Sequence, residues 1–184
     1  CVAGEHRMLG RGHAEMLVPM IAALPDKGRA ERIVVSLGPG SFTGLRVGIA
    51  AARALALAWN ARLAGYPTLD LVAAMARARY GGVPLAVAMT GGHGEWFVQG
   101  IDADGARSRP LASLRPDAAV AQCAETLVAG SEATALVAAR GFGEALPLWP
   151  DARELALLGE DALVDDIAPI YGRAPDARLP GAAA

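Results

Sequence analysis

In the first half of the chain, segments with the apolar spacing of a helix alternate with short apolar runs typical of buried strands. Helical spacing predicts three helices, over residues 12–24, 45–59 and 69–79. Pro19 lies inside the first of them and is expected to kink or shorten it. Short β-branched or apolar runs predict strands over residues 33–37 and 63–66. The strand, glycine loop and helix of residues 33–59 therefore form one α/β unit.

The second half of the chain shows the same alternation in shorter elements. Strands are predicted over residues 85–89, 95–101 and 136–139, and helices over residues 116–127 and 151–158. Gly81 and Gly82 end the third helix, and Pro84 prevents its continuation. We therefore expect an N-terminal lobe of residues 1–82 and a smaller C-terminal lobe of residues 83–184.

The composition is that of a compact chain with ample material for a core. Of its 184 residues 53% are hydrophobic, the mean hydropathy is +0.31 and the formal net charge is −2. A chain with no basic excess lacks the usual signature of a dedicated nucleic-acid-binding surface. Cys1 and Cys123 have no metal or redox spacing and fit a reduced, cytoplasmic location. The longest apolar run, residues 47–59, is interrupted by Arg53 and is shorter than the roughly 20 residues of a membrane span.

The two ends of the sequence carry expectations of their own. No basic segment followed by an apolar one opens the chain, so we expect no export signal. The chain does not begin with Met, and Cys1, Val2 and Ala3 are too few for a strand, which predicts a truncated start. The tail from residue 174 contains two prolines and a final alanine run, and is expected to be partly disordered.

A glycine-rich loop is the sharpest motif. It follows a strand and opens a helix, where phosphates bind through free backbone N–H groups. Thr43 stands where the dinucleotide pattern requires glycine, and Leu45 stands where the P-loop requires lysine. The residues alone therefore favour a turn that brings strand and helix together, with Ser41 as the helix cap, over a phosphate site. The loop comprises Gly38, Pro39, Gly40, Ser41, Phe42, Thr43 and Gly44.

A row of small residues, glycine and alanine, follows this loop along one side of the long helix and forms a low ridge. It consists of Gly44, Gly48, Ala52 and Ala56, which recur every four residues. Such a ridge lets another helix approach closely. The ridge could serve packing inside its own lobe or a contact with another molecule, and composition favours the first.

Groups that could carry chemistry are sparse. His6, His13 and His93 have no spacing that would place two imidazoles on one helix face, so no metal site is predicted. Ser41 and Thr43 have no basic partner at a recognisable spacing, so no catalytic residue is predicted. The glycine-rich residues 90–95 could line a cleft or form a flexible hairpin.

Several segments resemble the TsaB (YeaZ) family. The glycine loop with its flanks, residues 34–48, carries the run SFTGLR and resembles the family signature, which residues 50–56 continue. Further similar segments are residues 11–21, with their internal proline, residues 67–70 and the closing motif at residues 169–177. The resemblance extends over nearly the whole chain.

The resemblance implies a two-lobed α/β fold of the actin-like (RNase H-like) class, with a reduced second lobe. It implies a protein without catalysis of its own, which binds the catalytic partner TsaD and is joined in the complex by TsaE. The complex transfers a threonylcarbamoyl group to the tRNA adenosine next to the anticodon, and tRNA is reached only through the complex. No cofactor of its own is expected, beyond a weakly bound ADP or ATP at a complex interface.

The resemblance also implies the partner surface. The first two helices are expected to pair with the equivalent helices of TsaD, or of a second copy in a two-fold homodimer. The residues expected at this interface are Met16, Leu17, Met20, Ile21, Gly44, Arg46, Gly48, Ala52 and Arg53.

Two departures from the family pattern bear on these expectations. The family begins with an aspartate-threonine strand and a hairpin, for which the segment before residue 12 is too short. Residues 90–93 replace an Asp-Ala-Arg-like segment. The alternatives are an actin-like ATPase or metal-dependent hydrolase active on its own, and a small-molecule-binding domain that uses the glycine loop.

Overall fold

Two β-sheets organise the chain in the computed structural model, which describes residues 1–9 and 12–173. The first sheet is a parallel pair of strands, β1 (Arg32–Gly38) and β2 (Arg62–Pro67). The second sheet has the spatial order β5-β4-β3-β6-β7. Its strands are β3 (Leu85–Thr90), β4 (Trp96–Ile101), β5 (Arg107–Leu114), β6 (Leu127–Ala129) and β7 (Glu144–Leu146).

Five α-helices and three short 3₁₀ helices complete the described part of the chain. The α-helices are α1 (His13–Ala22), α2 (Phe42–Trp59), α3 (Thr68–Tyr80), α4 (Pro116–Gln122) and α5 (Ala133–Arg140). The 3₁₀ helices are Pro25–Gly28, Ala152–Leu157 and Glu160–Ala162. Pro19 lies inside α1, and Asp26 and Lys27 in the turn after it have positive φ angles.

The five-stranded sheet is mixed. Strands β3, β4 and β5 form an antiparallel meander, while β6 runs parallel to β3 and β7 runs parallel to β6. Among the described residues, those up to residue 82 contribute the parallel pair, and those from residue 83 onward contribute the five strands of the mixed sheet. Residues 1–9 form no helix or strand. The predicted disordered tail from residue 174 lies outside the described residues.

Helices cover both faces of the five-stranded sheet. Leu85 and Val87 of β3 join the core formed with α3, whereas Ala86 and Ala88 join a second core with α4 and α5. Successive side chains of a strand point to opposite faces, so a strand buried on both faces reads as one continuous apolar run. This is why residues 85–89 were recognisable as a strand from the sequence.

Two elements of the C-terminal half were predicted wrongly and three strands were missed. Residues 136–139, predicted as a strand, lie in α5, and the helix predicted over residues 116–127 ends at Gln122. A short apolar run does not distinguish a buried helix from a strand by its periodicity. The missed strands are β5, β6 and β7. β5 contains Pro110, which is tolerated because β5 is an edge strand of the sheet.

The two cysteines differ sharply in environment. Cys123 is 1% exposed, and Arg109 donates a hydrogen bond from Nη2 to its Sγ at 3.3 Å, whereas Cys1 is exposed. Burial raises the pKa of the Cys123 thiol, and the Arg109 guanidinium only partly opposes this.

We therefore expect dithionitrobenzoate to modify Cys1 rapidly and Cys123 on the order of a hundredfold more slowly, because Cys123 reacts only after local opening. The Cys1→Ser variant should retain only the slow phase, and both thiols should react fast in denaturant. Equal rates for the two native thiols would contradict the burial of Cys123.

Candidate functional site

The glycine loop is packed tightly at the junction of β1 and α2. Gly38 is the last residue of β1 and has a φ angle of 100°. A Cβ atom at this position would meet the carbonyl oxygen of Ile170 and lie 2.7 Å from Cδ1 of Leu45. Ser41 accepts a hydrogen bond from the Gly44 N–H at 3.3 Å and caps α2, as predicted. The loop is thus a close turn between strand and helix, the interpretation that the residues alone favoured.

Residues 167–173, which we call the C-terminal segment, bind the back of this loop. The Ile170 N–H donates to the carbonyl of Leu37 at 2.6 Å, which extends the contact to β1. The Tyr171 ring lies 5.3 Å from that of Phe42 between centroids. The part of the closing motif that the structure describes, residues 169–173, is therefore in direct contact with the signature loop.

Two arginines predicted at the partner interface bind this C-terminal segment. Arg53 donates from Nη2 to the carbonyl of Ile167 at 2.9 Å. Arg46 donates from Nε to the Tyr171 hydroxyl at 3.1 Å, and its guanidinium lies 3.9 Å from the centroid of the Phe42 ring. Both arginines are exposed and each makes a contact within the chain, so their predicted place at a partner interface stays a prediction.

The small-residue ridge of α2 turns inward along its length. Gly44 and Gly48 are half-buried, and a Cβ atom at Gly48 would have no heavy atom within 4 Å. By contrast, Ala52 and Ala56 are buried, as are Leu45 and Ile49 of the same helix. A spacing of four residues drifts by about 40° per step around a helix of 3.6 residues per turn. Ala52 therefore packs inside the lobe, and its predicted place at the interface is wrong.

The accessible side of α2 follows the helical repeat of 3.6 residues per turn, so from Gly48 it continues through Ala51 and Leu55. On α1, the predicted interface residues Met16, Leu17, Met20 and Ile21 are half-buried beside α2. We define the α1–α2 surface as these four residues together with Gly44, Gly48, Ala51 and Leu55 of α2. It presents an apolar face with little side-chain bulk at Gly44 and Gly48.

Helix α2 is unusually apolar for its exposure. Apart from Arg53, every residue from 47 to 59 is apolar or glycine, and Leu57 is 86% exposed. By length and composition alone it could cross a membrane, with a mean hydropathy of 1.2 over 18 residues. In the fold its inner side instead packs on β1 and β2. Its other side remains available for a contact.

A cavity of about 1160 Å³ opens in front of the glycine loop. Its walls are formed by residues 6–9, the glycine loop, residues 90–93, Ser131 just before α5 and the C-terminal segment. Residues 90–95 form the turn between β3 and β4, with the Gly91 N–H bonded to the Glu95 carbonyl at 2.8 Å. These residues therefore form a hairpin turn and also line the cavity, so the two roles considered for them from the sequence are compatible.

Two of the histidines, His6 and His93, line this cavity. The Nδ1 atom of His6 lies 3.7 Å from a carboxylate oxygen of Asp151, while His93 has a positive φ angle in the β3–β4 turn. Within residues 1–9 and 12–173, no group of three or more histidine, cysteine, aspartate or glutamate residues is arranged to hold a metal ion.

Known proteins resemble the chain in sequence and in fold. The sequence model of TsaD, tRNA N6-adenosine threonylcarbamoyltransferase, matches residues 7–141. Uncharacterized proteins of Mycobacterium tuberculosis and Mycobacterium bovis are 42% identical over 67 residues, which are 34% of this chain and 32% of theirs. The match thus spans about a third of the length of these relatives.

Two solved structures share the fold. YeaZ from Pseudomonas aeruginosa has a TM-score of 0.71 and 24% identity, over 90% of this chain and 86% of its own. A Pseudomonas aeruginosa protein described as similar to peptidase YeaZ gives the same score and identity over 91% and 87%. This likeness confirms the expected α/β, actin-like (RNase H-like) fold class. The chain therefore belongs to the TsaD family of tRNA N6-adenosine threonylcarbamoyltransferases and, as its signature predicts, has the fold of the YeaZ (TsaB) proteins.

Proposed function

We propose that the chain is a non-catalytic partner that binds and activates a TsaD-type enzyme. In this role it supports the transfer of a threonylcarbamoyl group to the tRNA adenosine next to the anticodon. The observation that carries the proposal is the accessible, apolar α1–α2 surface in a chain that belongs to the TsaD family. A contiguous, partly accessible apolar surface of this kind fits an interaction site.

The chemistry of the α1–α2 surface suits contact between helices. Gly44 and Gly48 leave the backbone of α2 open, so a partner helix can approach at the short end of the usual 8–10 Å range of interaxial distances. Met16 and Met20 offer flexible apolar side chains that adapt to an irregular partner. A two-helix face of this shape fits a four-helix contact with two helices of the enzyme.

The remaining parts of the proposal follow from this contact. A net charge of −2 fits a chain that reaches tRNA only through the complex, in the cytoplasm, with TsaE joining the assembly. ADP or ATP binds weakly at the complex interface. Without the enzyme, the same surface forms the interface of a two-fold homodimer. A two-fold axis brings the same patch of both copies together, so each copy buries the apolar face of the other.

A mixing experiment tests the proposal. The purified chain alone should transfer no threonylcarbamoyl group to tRNA, and its addition to the TsaD enzyme and TsaE of the same organism should raise the transfer rate at least tenfold. A chain that transfers the group without TsaD, or that hydrolyses ATP on its own, would instead support the ATPase or hydrolase alternative. Failure to co-purify with TsaD would refute the partner role.

A further inference from the structure

Arg7, Arg46 and Arg173 line the cavity in front of the glycine loop, together with His6 and His93. Among the residues that the structure describes, none that lines the cavity is an aspartate or glutamate. This feature is independent of the α1–α2 surface.

Carboxylates beside the cavity contact three of its lining side chains, Arg7, Arg173 and His6, the last through Asp151 at 3.7 Å. Arg7 forms an ion pair with Glu5, and Arg173 Nη1 lies 4.0 Å from Glu95. Among the residues that the structure describes, no carboxylate pairs with Arg46. Within the described residues, Arg46 therefore stays available to a bound anion.

Arg46 is held in place before any ligand arrives. Its Nε donates to the Tyr171 hydroxyl at 3.1 Å, and its guanidinium lies 3.9 Å and 5.8 Å from the ring centroids of Phe42 and Tyr171. Its Nη groups have no acceptor among the described residues, so two N–H donors can point at one acidic group. A guanidinium fixed in this way loses little entropy when it binds an anion.

The other walls of the cavity are apolar and largely aromatic. Phe97 is buried, and Met89, Trp149 and Tyr171 complete this wall. An inorganic ion would leave these surfaces in contact with water, whereas a flat apolar group would cover them. The volume of the cavity, about 1160 Å³, is slightly above the range of roughly 300–1,000 Å³ that is usual for small-molecule sites.

We propose that this cavity binds a small organic anion, whose acidic group is held by Arg46 and whose flat apolar body lies against Phe97, Trp149 and Tyr171. The site goes beyond the partner role, because it lies on the side of α2 that faces the C-terminal segment. A ligand there bridges the glycine loop and the β3–β4 turn.

The probe for this site is 8-anilinonaphthalene-1-sulfonate, a flat aromatic anion whose fluorescence rises on binding. The protein should bind it at one site, and Arg46→Gln should weaken the binding about tenfold, the loss of one charged hydrogen bond. Arg115→Gln is the matched control, because Arg115 is exposed and lies outside the cavity. The uncharged dye N-phenyl-1-naphthylamine should bind Arg46→Gln as well as it binds the wild type.

Further variants separate the cavity from the exposed face of α2. Leu57→Ser removes apolar surface on α2 away from the cavity and should not change dye binding. Trp149→Ala removes part of the aromatic wall and should weaken both dyes, and it tests the site independently if Arg46→Gln fails to fold by circular dichroism. Wild-type affinity of folded Arg46→Gln and Trp149→Ala, or loss of binding in Leu57→Ser alone, would overturn the proposal.

Discussion

Replacing Gly38 with alanine is expected to lower the free energy of unfolding by about 3 kcal/mol, the combined cost of a strained φ angle and an overpacked contact. At its φ angle of 100°, a side chain is strained, and the new Cβ would meet the Ile170 carbonyl and the Leu45 side chain. The variant must therefore displace the C-terminal segment from the glycine loop. Urea denaturation followed by circular dichroism measures the change.

The same loop supplies the matched control. Gly40 has no positive φ angle, and a Cβ there would lie 3.9 Å from Leu45, an ordinary van der Waals distance. Gly40→Ala should therefore change the unfolding free energy by less than about 1 kcal/mol. If both variants unfold at the same urea concentration as the wild type, the close approach of residue 38 to the C-terminal segment is wrong.

Replacing Gly48 with leucine should weaken binding to the TsaD-type enzyme by about 2 kcal/mol, roughly 30-fold, as expected for overpacking a close helix contact. The new side chain points away from the protein's own atoms, because a Cβ at Gly48 has no neighbour within 4 Å. It should also raise helix propensity, so the isolated chain should not lose stability. Calorimetric titration of the variant against the enzyme measures the affinity.

Two comparisons make this test specific. Ala138→Leu adds a similar side chain to an exposed position of α5 and should leave the affinity unchanged. Ala52→Leu is unsuitable, because Ala52 is buried and the larger side chain should destabilise the lobe itself. Wild-type affinity of folded Gly48→Leu would mean that α2 does not contact the enzyme through this side.

The local chemistry of the glycine loop was readable from the sequence because it depends on neighbouring residues. Ser41 lies before the helix at the position where its hydroxyl reaches the Gly44 N–H, so the cap could be predicted from residue types alone. The start of α2 was nevertheless placed at residue 45, whereas the helix begins at Phe42. The first turn contains a glycine, which contributes no apolar side chain, so the apolar spacing does not indicate that the helix has already begun.

The candidate sites depended on contacts between distant residues. The sequence suggested a straight ridge through Ala52, and it placed Arg46 and Arg53 on the partner surface. In the structure the helical repeat carries Ala52 into the core, and both arginines donate hydrogen bonds to the C-terminal segment. Neither Tyr171 nor Ile167 is near these arginines in sequence, so no local pattern could reveal the contact.

The sequence by itself determined the signature loop, the helices and strands of the first half and the family to which they belong, because capping, periodicity and motif spacing act over a few residues. Only the tertiary structure decided that residues 136–139 join a helix, that β5 forms an edge strand despite Pro110, and that Arg7, Arg46 and Arg173 line one cavity. Each of these outcomes is set by which elements pack together, and packing joins residues that are far apart along the chain.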